Sequence, residues 1–169
     1  RKRLLGVYGD FRLSYKNMVY LGFTGRNDWS STLPIQNRSF FYPAVSGSFV
    51  FTELLSKNDV LSFGKARASY AQVGKDAAAY QTATYLFGPE LTIGGGYRNY
   101  WSRGNDLLKP ETSTSIEFGT DLRFLKDRIG VDFTYYKNKS VDQILTPRVS
   151  NATGYILSSV NTGVLENKG

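Results

Sequence analysis

The chain alternates between apolar and polar residues over several long stretches, most clearly from Thr114 to Tyr136. From Ile116 to Phe124 every second residue is Ile, Phe, Thr or Leu, and Glu, Asp and Arg stand between them. The alternation breaks at 126–128 and resumes from Ile129 to Tyr135. A period of two is that of a β-strand, because successive side chains leave a strand on opposite faces. The stretch therefore predicts a β-hairpin with one apolar and one charged face.

The same alternation elsewhere in the chain predicts seven strands in all. The expected strands cover 7–15, 19–26, 40–53, 60–73, 114–124, 129–136 with an extension as far as Leu145, and 161–169. The turn formers between them predict short turns near Lys16, Asn58 and Asp127, and long loops at 27–39, 74–109 and 146–160. Pro43 is expected at the entry of its strand, because proline cannot donate to a ladder.

The lengths of these strands and connections indicate a membrane protein. Most of the strands exceed the ~5–6 residues typical of soluble sheets and reach the ~9–11 that a tilted strand needs to cross a bilayer. Short turns alternating with long loops, together with apolar-out and polar-in faces, are typical of outer-membrane barrels. We therefore predict an all-β fold, a segment of an antiparallel transmembrane β-barrel with short periplasmic turns and long extracellular loops.

On this prediction the charged face lines a wet lumen, where its charges avoid the cost of dry burial. The expected lumen-lining residues are Glu117, Asp121, Arg123 and Asp132. They can serve the transport path, or they can form a solvated lattice of ion pairs on the wall, which such residues do routinely. Glu117 and Asp121 as a glycosidase pair are disfavoured, because no cleft signature accompanies them.

Composition narrows the chemistry further. The chain has 169 residues, a formal charge of +7, and neither cysteine nor histidine. Disulfides, the usual zinc, haem and iron–sulfur ligand sets, and histidine-based catalytic triads are therefore excluded. We expect that the protein is not an enzyme and that it binds neither a metal nor a cofactor. Nucleic acid is disfavoured as a partner, because the Lys and Arg residues form no basic stripe. Those near the external rim are expected to meet outer-membrane lipid and lipopolysaccharide phosphates.

Five runs of the sequence resemble a known family. They are G-R-N-D-W-S-S-T-L-P at 25–34, N-R-S-F-F-Y-P-A-V-S-G-S-F-V-F-T-E at 37–53, L-S-F-G-K-A-R-A-S-Y-A-Q-V-G at 61–74, L-K-P-E-T-S-T-S-I-E-F-G at 108–119 and V-N-T-G-V-L-E-N-K-G at 160–169. They are similar to the barrel of the SusC/RagA family, the TonB-dependent outer-membrane transporters of Bacteroidetes-type bacteria. The similarity is weakest over 75–106, and Ala66 stands where a larger apolar residue is expected.

The resemblance implies what the whole protein contains, what it transports and which partners it has. Residues 1–169 are interpreted as an internal fragment of one β-barrel domain of about 22 strands, with the plug, the TonB box and the remaining strands outside it. The whole protein is expected to import large nutrients, oligosaccharide or peptide, across the outer membrane. Its expected partners are TonB, acting through the plug, and a SusD-like lipoprotein that caps the barrel.

Aromatic residues in the predicted external loops are the candidate ligand contacts. They are Trp29, Tyr97, Tyr100, Trp101 and Tyr155. Aromatic rings stack on sugars or pack on peptides, and pockets favour aromatic walls with a few polar groups. The plainer interpretation is that these rings pack against their own loops. A soluble β-rich binding or adhesion module remains the alternative to the transporter, and the sequence names no substrate.

Overall fold

The computed structural model describes residues 2–55, 60–89 and 94–169, and the turn predicted near Asn58 lies outside them. The strands are β1 (Leu4–Tyr15), β2 (Val19–Ser30), β3 (Ser39–Val50), β4 (Leu61–Lys75), β5 (Leu86–Phe87), β6 (Arg98–Asn99), β7 (Ser102–Arg103), β8 (Glu111–Phe124), β9 (Ile129–Val141), β10 (Ile144–Leu145), β11 (Leu157–Ser158), β12 (Val160–Asn161) and β13 (Val164–Lys168). Short 3₁₀ helices cover Ile35–Asn37, Phe51–Leu54 and Asn151–Thr153.

Seven of these strands form one sheet in the order β1-β2-β3-β4-β8-β9-β13. Every neighbouring pair in the sheet is antiparallel. The remaining strands pair two by two within the loops, as β5 with β6, β7 with β11 and β10 with β12. The predicted seven-stranded antiparallel sheet is therefore confirmed, and the loops carry small ladders of their own.

Several strand ends differ from the prediction. β2 continues to Ser30, so the first long connection covers only 31–38. β3 stops at Val50, and a 3₁₀ helix takes the place of the last residues of the predicted strand. β9 stops at Val141 and does not extend to Leu145, because Asp142 takes a left-handed backbone conformation with φ 55° that no strand continues through. β13 starts only at Val164, and the residues before it pair with β10 instead.

Pro43 lies inside β3 and not at its entry, which corrects the prediction. It is opposite Gly25 of β2, but the ladder between β3 and β4 begins only at Ala44 opposite Ala71. A proline has no N–H to donate. Its place beyond the end of one ladder explains how a strand interior accepts it.

The register of the sheet gathers the apolar residues on one face. Phe118 stands opposite Ala68 of β4 and Tyr135 of β9, and directly opposed residues share a face. Phe118 is 55% exposed and Phe133, on the same face, is 63% exposed. The side chains that share this outward face and exposure include Leu5, Val7, Phe11, Leu13, Phe23, Phe41, Ile129 and Val131. No element of the described chain covers this face, so it suits contact with lipid.

The connections separate onto two edges of the sheet. The turn at 16–18 and the turn at 125–128 lie at one edge, where Val50 N–H donates to Met18 O at 2.7 Å and Leu125 N–H to Val60 O at 3.0 Å. Lys16 and Asn17 both have positive φ, as a tight turn between long strands requires. The longer connections 31–38, 76–110 and 142–163 lie at the opposite edge, which we call the loop edge.

A buried apolar cluster lies at the loop edge, whereas within the described sheet Val50 is the buried apolar residue. Leu33, Ala77 and Leu108 are buried together, with Phe40 and Ile144 packed against them. Three different connections thus bury a common apolar centre. Among the residues that the structure describes, no helix is long and apolar enough to cross a membrane.

Adjacent residues of β4 provide a direct test of the two faces. Ala68 faces outward with Phe118, and Ser69 faces the polar side with Glu117. In the full-length receptor that carries this segment, Ala68→Arg is expected to cost ~2–4 kcal/mol of unfolding free energy in lipid vesicles, because a guanidinium then meets hydrocarbon. Ser69→Arg, the matched control one residue away, is expected to cost far less, because it gains Glu117 as a neighbour. Urea titration measures both, and equal costs would contradict the assignment of the faces.

Candidate functional site

Arg67 of β4 lies on the polar face and contacts two residues of β9. Its Nη2 lies 2.8 Å from Asp132 Oδ1 and donates to Thr134 Oγ1 at 2.7 Å. Thr134 in turn donates to Asp132 at 3.2 Å. Gly119 makes this possible, because a Cβ at that position would overlap the Arg67 side chain. Arg67 thereby bridges from β4 across β8 to β9, and it was not among the residues singled out from the sequence.

The four predicted lumen residues all lie on this polar face, but not as one cluster. Asp121 stands opposite Lys65 on one side and Asp132 on the other. Arg123 lies 3.8 Å from Asp121 and over the Phe63 ring at 5.2 Å. The two acids that face each other are thus each supplied with a cation. The polar face thus carries exposed or half-buried ion pairs, and its role as a lumen wall stays a prediction.

Glu117 lies apart from that lattice. It accepts a hydrogen bond from Ser115 at 3.2 Å and stands opposite Ser69 and Tyr136. It also lines a shallow trough of about 680 Å³ on the polar face. Its lining combines charged side chains with small residues, namely Gly22, Ser46, Ser48, Ser69 and Gly119. In the described chain no group of three or more acidic residues stands close enough to hold a metal ion.

A network of polar side chains fastens the strands at the loop edge. Asp76, directly after β4, accepts from Lys2 Nζ at 2.7 Å and from Thr32 Oγ1 at 3.2 Å, and it also accepts from Ser30 Oγ. These donors come from the segment before β1, the end of β2 and the loop that follows. Burial raises the pKa of the Asp76 carboxyl, but the hydrogen bonds from Lys2 and Ser30 outweigh it and hold the pKa below its ordinary value of 3.8.

The two longest loops are joined to each other. Trp101 O accepts from Ile156 N–H at 2.8 Å and from Leu157 N–H at 3.0 Å, within the parallel pairing of β7 with β11. Farther along, the Asn161 side chain makes two 2.8 Å hydrogen bonds to the backbone of Lys109, one as acceptor and one as donor. Backbone pairing of this kind holds the loops in a fixed relation before any ligand arrives.

An aromatic cleft lies between these joined loops. It has a volume of about 430 Å³ and is lined by Phe87, Arg98, Asn99, Tyr100, Trp101, Gly154 and Ile156. The ring of Tyr100 lies 4.7 Å from that of Tyr85 and 5.5 Å from that of Trp101, measured between centroids. The Arg98 guanidinium lies over the Phe87 ring at 5.0 Å. Trp101 is nevertheless 60% exposed.

The structure divides the five aromatic candidates. Tyr100 and Trp101 line the cleft. Tyr97 lies in the same loop and is 66% exposed, but it is not part of the lining. Tyr155 is half-buried and lies in the chain between the lining residues Gly154 and Ile156. Trp29 is not a loop residue at all, because β2 continues through it and places it on the outward face opposite Leu5. The sequence missed Phe87, Arg98, Asn99, Gly154 and Ile156, whose shared cleft depends on pairing between distant segments.

The comparison with protein families identifies this architecture. The model of the TonB-dependent receptor-like β-barrel matches residues 1–169, the whole chain. The chain belongs to the TonB-dependent receptor family. It follows that this receptor segment lies in the bacterial outer membrane and crosses it with the strands of the sheet. The soluble-module alternative is wrong, and the family is one of receptors and not of enzymes.

Two curated relatives come from Formosa agariphila. TonB-dependent receptor P26 is 28% identical over 173 residues, which cover 99% of this chain and 18% of the relative. TonB-dependent receptor P3 is 28% identical over 172 residues, which cover 98% of this chain and 17% of the relative. The chain thus spans less than a fifth of the relatives that it matches.

Solved structures share the fold of the receptor segment. The RagAB peptide transporter has a TM-score of 0.89 at 21% identity, with 99% of this chain and 19% of that chain covered. The siderophore receptor PirA from Pseudomonas aeruginosa has a TM-score of 0.67 at 22% identity, with 99% of this chain and 30% of that chain covered. Both similarities show the barrel fold of the segment.

The Asp76 network gives the receptor a measurable pH dependence. Asp76→Asn in the full-length receptor is expected to cost about 1.5–3 kcal/mol of unfolding free energy at neutral pH, because the carboxylate's bonds to Lys2 and Ser30 carry charge. The folded pKa is lowered, so this stabilisation is complete above the unfolded value of about 3.8 and is lost as pH falls through the folded pKa.

Unfolding curves between pH 3 and 7 check this dependence. The difference between the parent and Asp76→Asn is expected to shrink below about pH 3.8. Asp106→Asn is the matched control, because Asp106 lies in the same connection and is exposed, and its hydrogen bond to Gln36 uses its backbone oxygen. A difference that stays constant over the whole range would contradict the role of the Asp76 charge.

Proposed function

We propose that the full-length receptor imports large nutrients, oligosaccharide or peptide, across the outer membrane. The observation that carries this proposal is the aromatic cleft between the two longest loops. The rings of Phe87 and Trp101 are exposed and the walls of the cleft are held by backbone pairing, so a ligand would meet a site that is already formed. A volume of about 430 Å³ suits one residue or one sugar ring with part of its neighbour, which is typical of a subsite for a longer chain.

The polar face supplies the path that follows capture. Its ion pairs, between Arg67 and Asp132 and between Arg123 and Asp121, are exposed or half-buried and leave the small-residue trough open. A wall of this kind lets a hydrated ligand pass without burying charge. Glu117, Asp121, Arg123 and Asp132 take part in the proposal as wall residues, whose task is to keep the passage wet.

The proposed partners follow from the SusC/RagA resemblance and from the fold similarity to the RagAB peptide transporter. A SusD-like lipoprotein would close over the loop edge, where the cleft opens. TonB would act through a plug, and the movement of the plug would release the captured ligand into the passage. Peptide is the cargo named for RagAB, and stacking on Trp101 serves a sugar ring equally well.

Trp101→Ala is the test of the cleft. Loss of the indole is expected to weaken ligand retention roughly 2- to 12-fold, the equivalent of ~0.5–1.5 kcal/mol for an aromatic contact. The purified full-length receptor is incubated with a peptide mixture from digested casein and with oligosaccharides from hydrolysed plant polysaccharides. Mass spectrometry then records the components depleted by binding.

Tyr97→Ala is the matched control for this measurement. Tyr97 is an exposed aromatic residue of the same loop that does not line the cleft, so its removal is expected to leave retention unchanged. Equal retention by the parent and Trp101→Ala would remove the cleft from the proposal. Retention of neither mixture by the parent receptor would overturn the proposed import of oligosaccharide or peptide.

A further inference from the structure

Charge is almost excluded from the outward face of the sheet, and where it occurs it is concentrated. Over the seven strands, all of which the structure describes, outward positions carry a charged residue only at Lys137, Lys139, Glu166 and Lys168. We call these four residues the lysine lattice. Elsewhere the outward face carries apolar residues, glycine or uncharged polar residues. A concentration of charge on a face built for lipid requires an explanation.

The lattice is not neutral. Glu166 Oε1 lies 2.9 Å from Lys137 Nζ and stands opposite Lys139 in the ladder. Lys168 stands directly opposite Lys137, and like charges in opposed positions destabilise a sheet. One carboxylate thus shares a surface with three ammonium groups, which leaves a charge of about +2 on this patch at neutral pH.

The neighbouring strand offers no compensation. On the β8 side the residues opposite Lys137 and Lys139 are Ile116 and Thr114, which are uncharged. Along β9 the next outward residues are Tyr135 and Val141. Besides Glu166, the outward positions of β8, β9 and β13 therefore offer these lysines no acidic partner, and an anion from outside the sheet would relieve their repulsion.

The position of the lattice specifies the kind of anion. Lys137 and Lys139 lie in the half of β9 nearest the loop edge, directly beyond the apolar run that ends at Phe133 and Tyr135. Lysine stems lie along apolar surface while their ammonium groups reach the polar boundary. A tyrosine at the boundary is typical of the same level. The lattice thus faces the headgroup layer of the outer leaflet.

We propose that the lysine lattice binds the phosphate of an outer-leaflet lipid, with the acyl chains of that lipid lying on Phe133 and the neighbouring apolar side chains. The lipid provides what the patch lacks, since its phosphate supplies negative charge and its chains match the exposed apolar face. Clusters of basic residues bind anionic headgroups in this manner, and each lysine contributes about fivefold in affinity. The proposal rests on the outer-membrane location and is independent of the cargo.

The test compares two lipids on the full-length receptor. Vesicles of phosphatidylcholine contain either bisphosphorylated lipid A or lipid A from which the phosphates have been removed. Native mass spectrometry counts the lipid A molecules that each receptor retains. The parent is expected to prefer the phosphorylated form, and Lys139→Gln with Lys168→Gln is expected to weaken its binding roughly 25-fold. Equal retention of the two forms by the parent would overturn the proposal.

Stability gives a second readout whose sign changes with the lipid. In vesicles without phosphorylated lipid A, the double variant is expected to be more stable than the parent, because it loses the repulsion between Lys137 and Lys168. With phosphorylated lipid A, the parent is expected to be the more stable. A parent that is more stable in both vesicles would mean that a protein carboxylate neutralises the lattice, which would also overturn the proposal.

The matched control is Lys16→Gln with Lys126→Gln. It removes the same charge from the two turns at the opposite edge of the sheet, and it is expected to leave the retention of lipid A unchanged. A loss equal to that of the lattice variant would show a general charge effect and contradict the site. Inorganic phosphate is added in a separate arm, and protection by the free ion equal to that by lipid A would assign the patch to the ion and reject the lipid.

Discussion

A chain that crosses lipid has to satisfy its backbone hydrogen bonds within the protein, and this constraint decides the rest of the structure. Within the sheet the antiparallel strands meet it by pairing with their neighbours, as in the pairing of all twelve residues of β1 with β2. The exceptions fall where the ladders end. Pro43 lies beyond the first pair of the β3–β4 ladder, and Asp142, with its left-handed backbone, ends β9 at the loop edge. The register shift between Leu61 and Phe63 in the β4–β8 ladder likewise lies near the end of its strand.

Once the ladders are fixed, each side chain is committed to one face. A slip of one residue would exchange the faces and place Asp121 and Arg123 in lipid. The tight turns guard against such a slip, because the left-handed residues at 16–17 and 125–127 fix where each hairpin reverses. The turns are thus a structural requirement of the amphipathic sheet. They also explain why the buried core had to form elsewhere, around Leu108 at the loop edge, where three connections meet.

The sequence predicted most of the sheet, because a period of two depends only on local alternation. The strands, the two faces and the polar side of Glu117 and Asp132 all follow from it. Strand ends were less predictable, since they depend on distant partners. β2 continues through Trp29 because Leu5 of β1 and Ser39 of β3 pair with it. The cleft was beyond prediction for the same reason, because Trp101 acquires its neighbour Ile156 only when two separate loops pair.

The lysine lattice on β9 and β13 is a feature that the amphipathic pattern alone does not predict. Alternation assigns Lys137 and Lys139 to the lipid side, where a strict pattern would place apolar residues. The apolar run of β9 ends at Tyr135, and the charges begin at the next outward position. Along β9 the outward face therefore has two parts, an apolar part as far as Tyr135 and a charged part from Lys137 onward. Hydrocarbon is matched by Phe133 and its neighbours, and the headgroup layer by ammonium groups. A charge on the lipid side costs least free energy at that boundary. The membrane therefore tolerates lysines at the positions where their mutual repulsion disfavours them within the sheet.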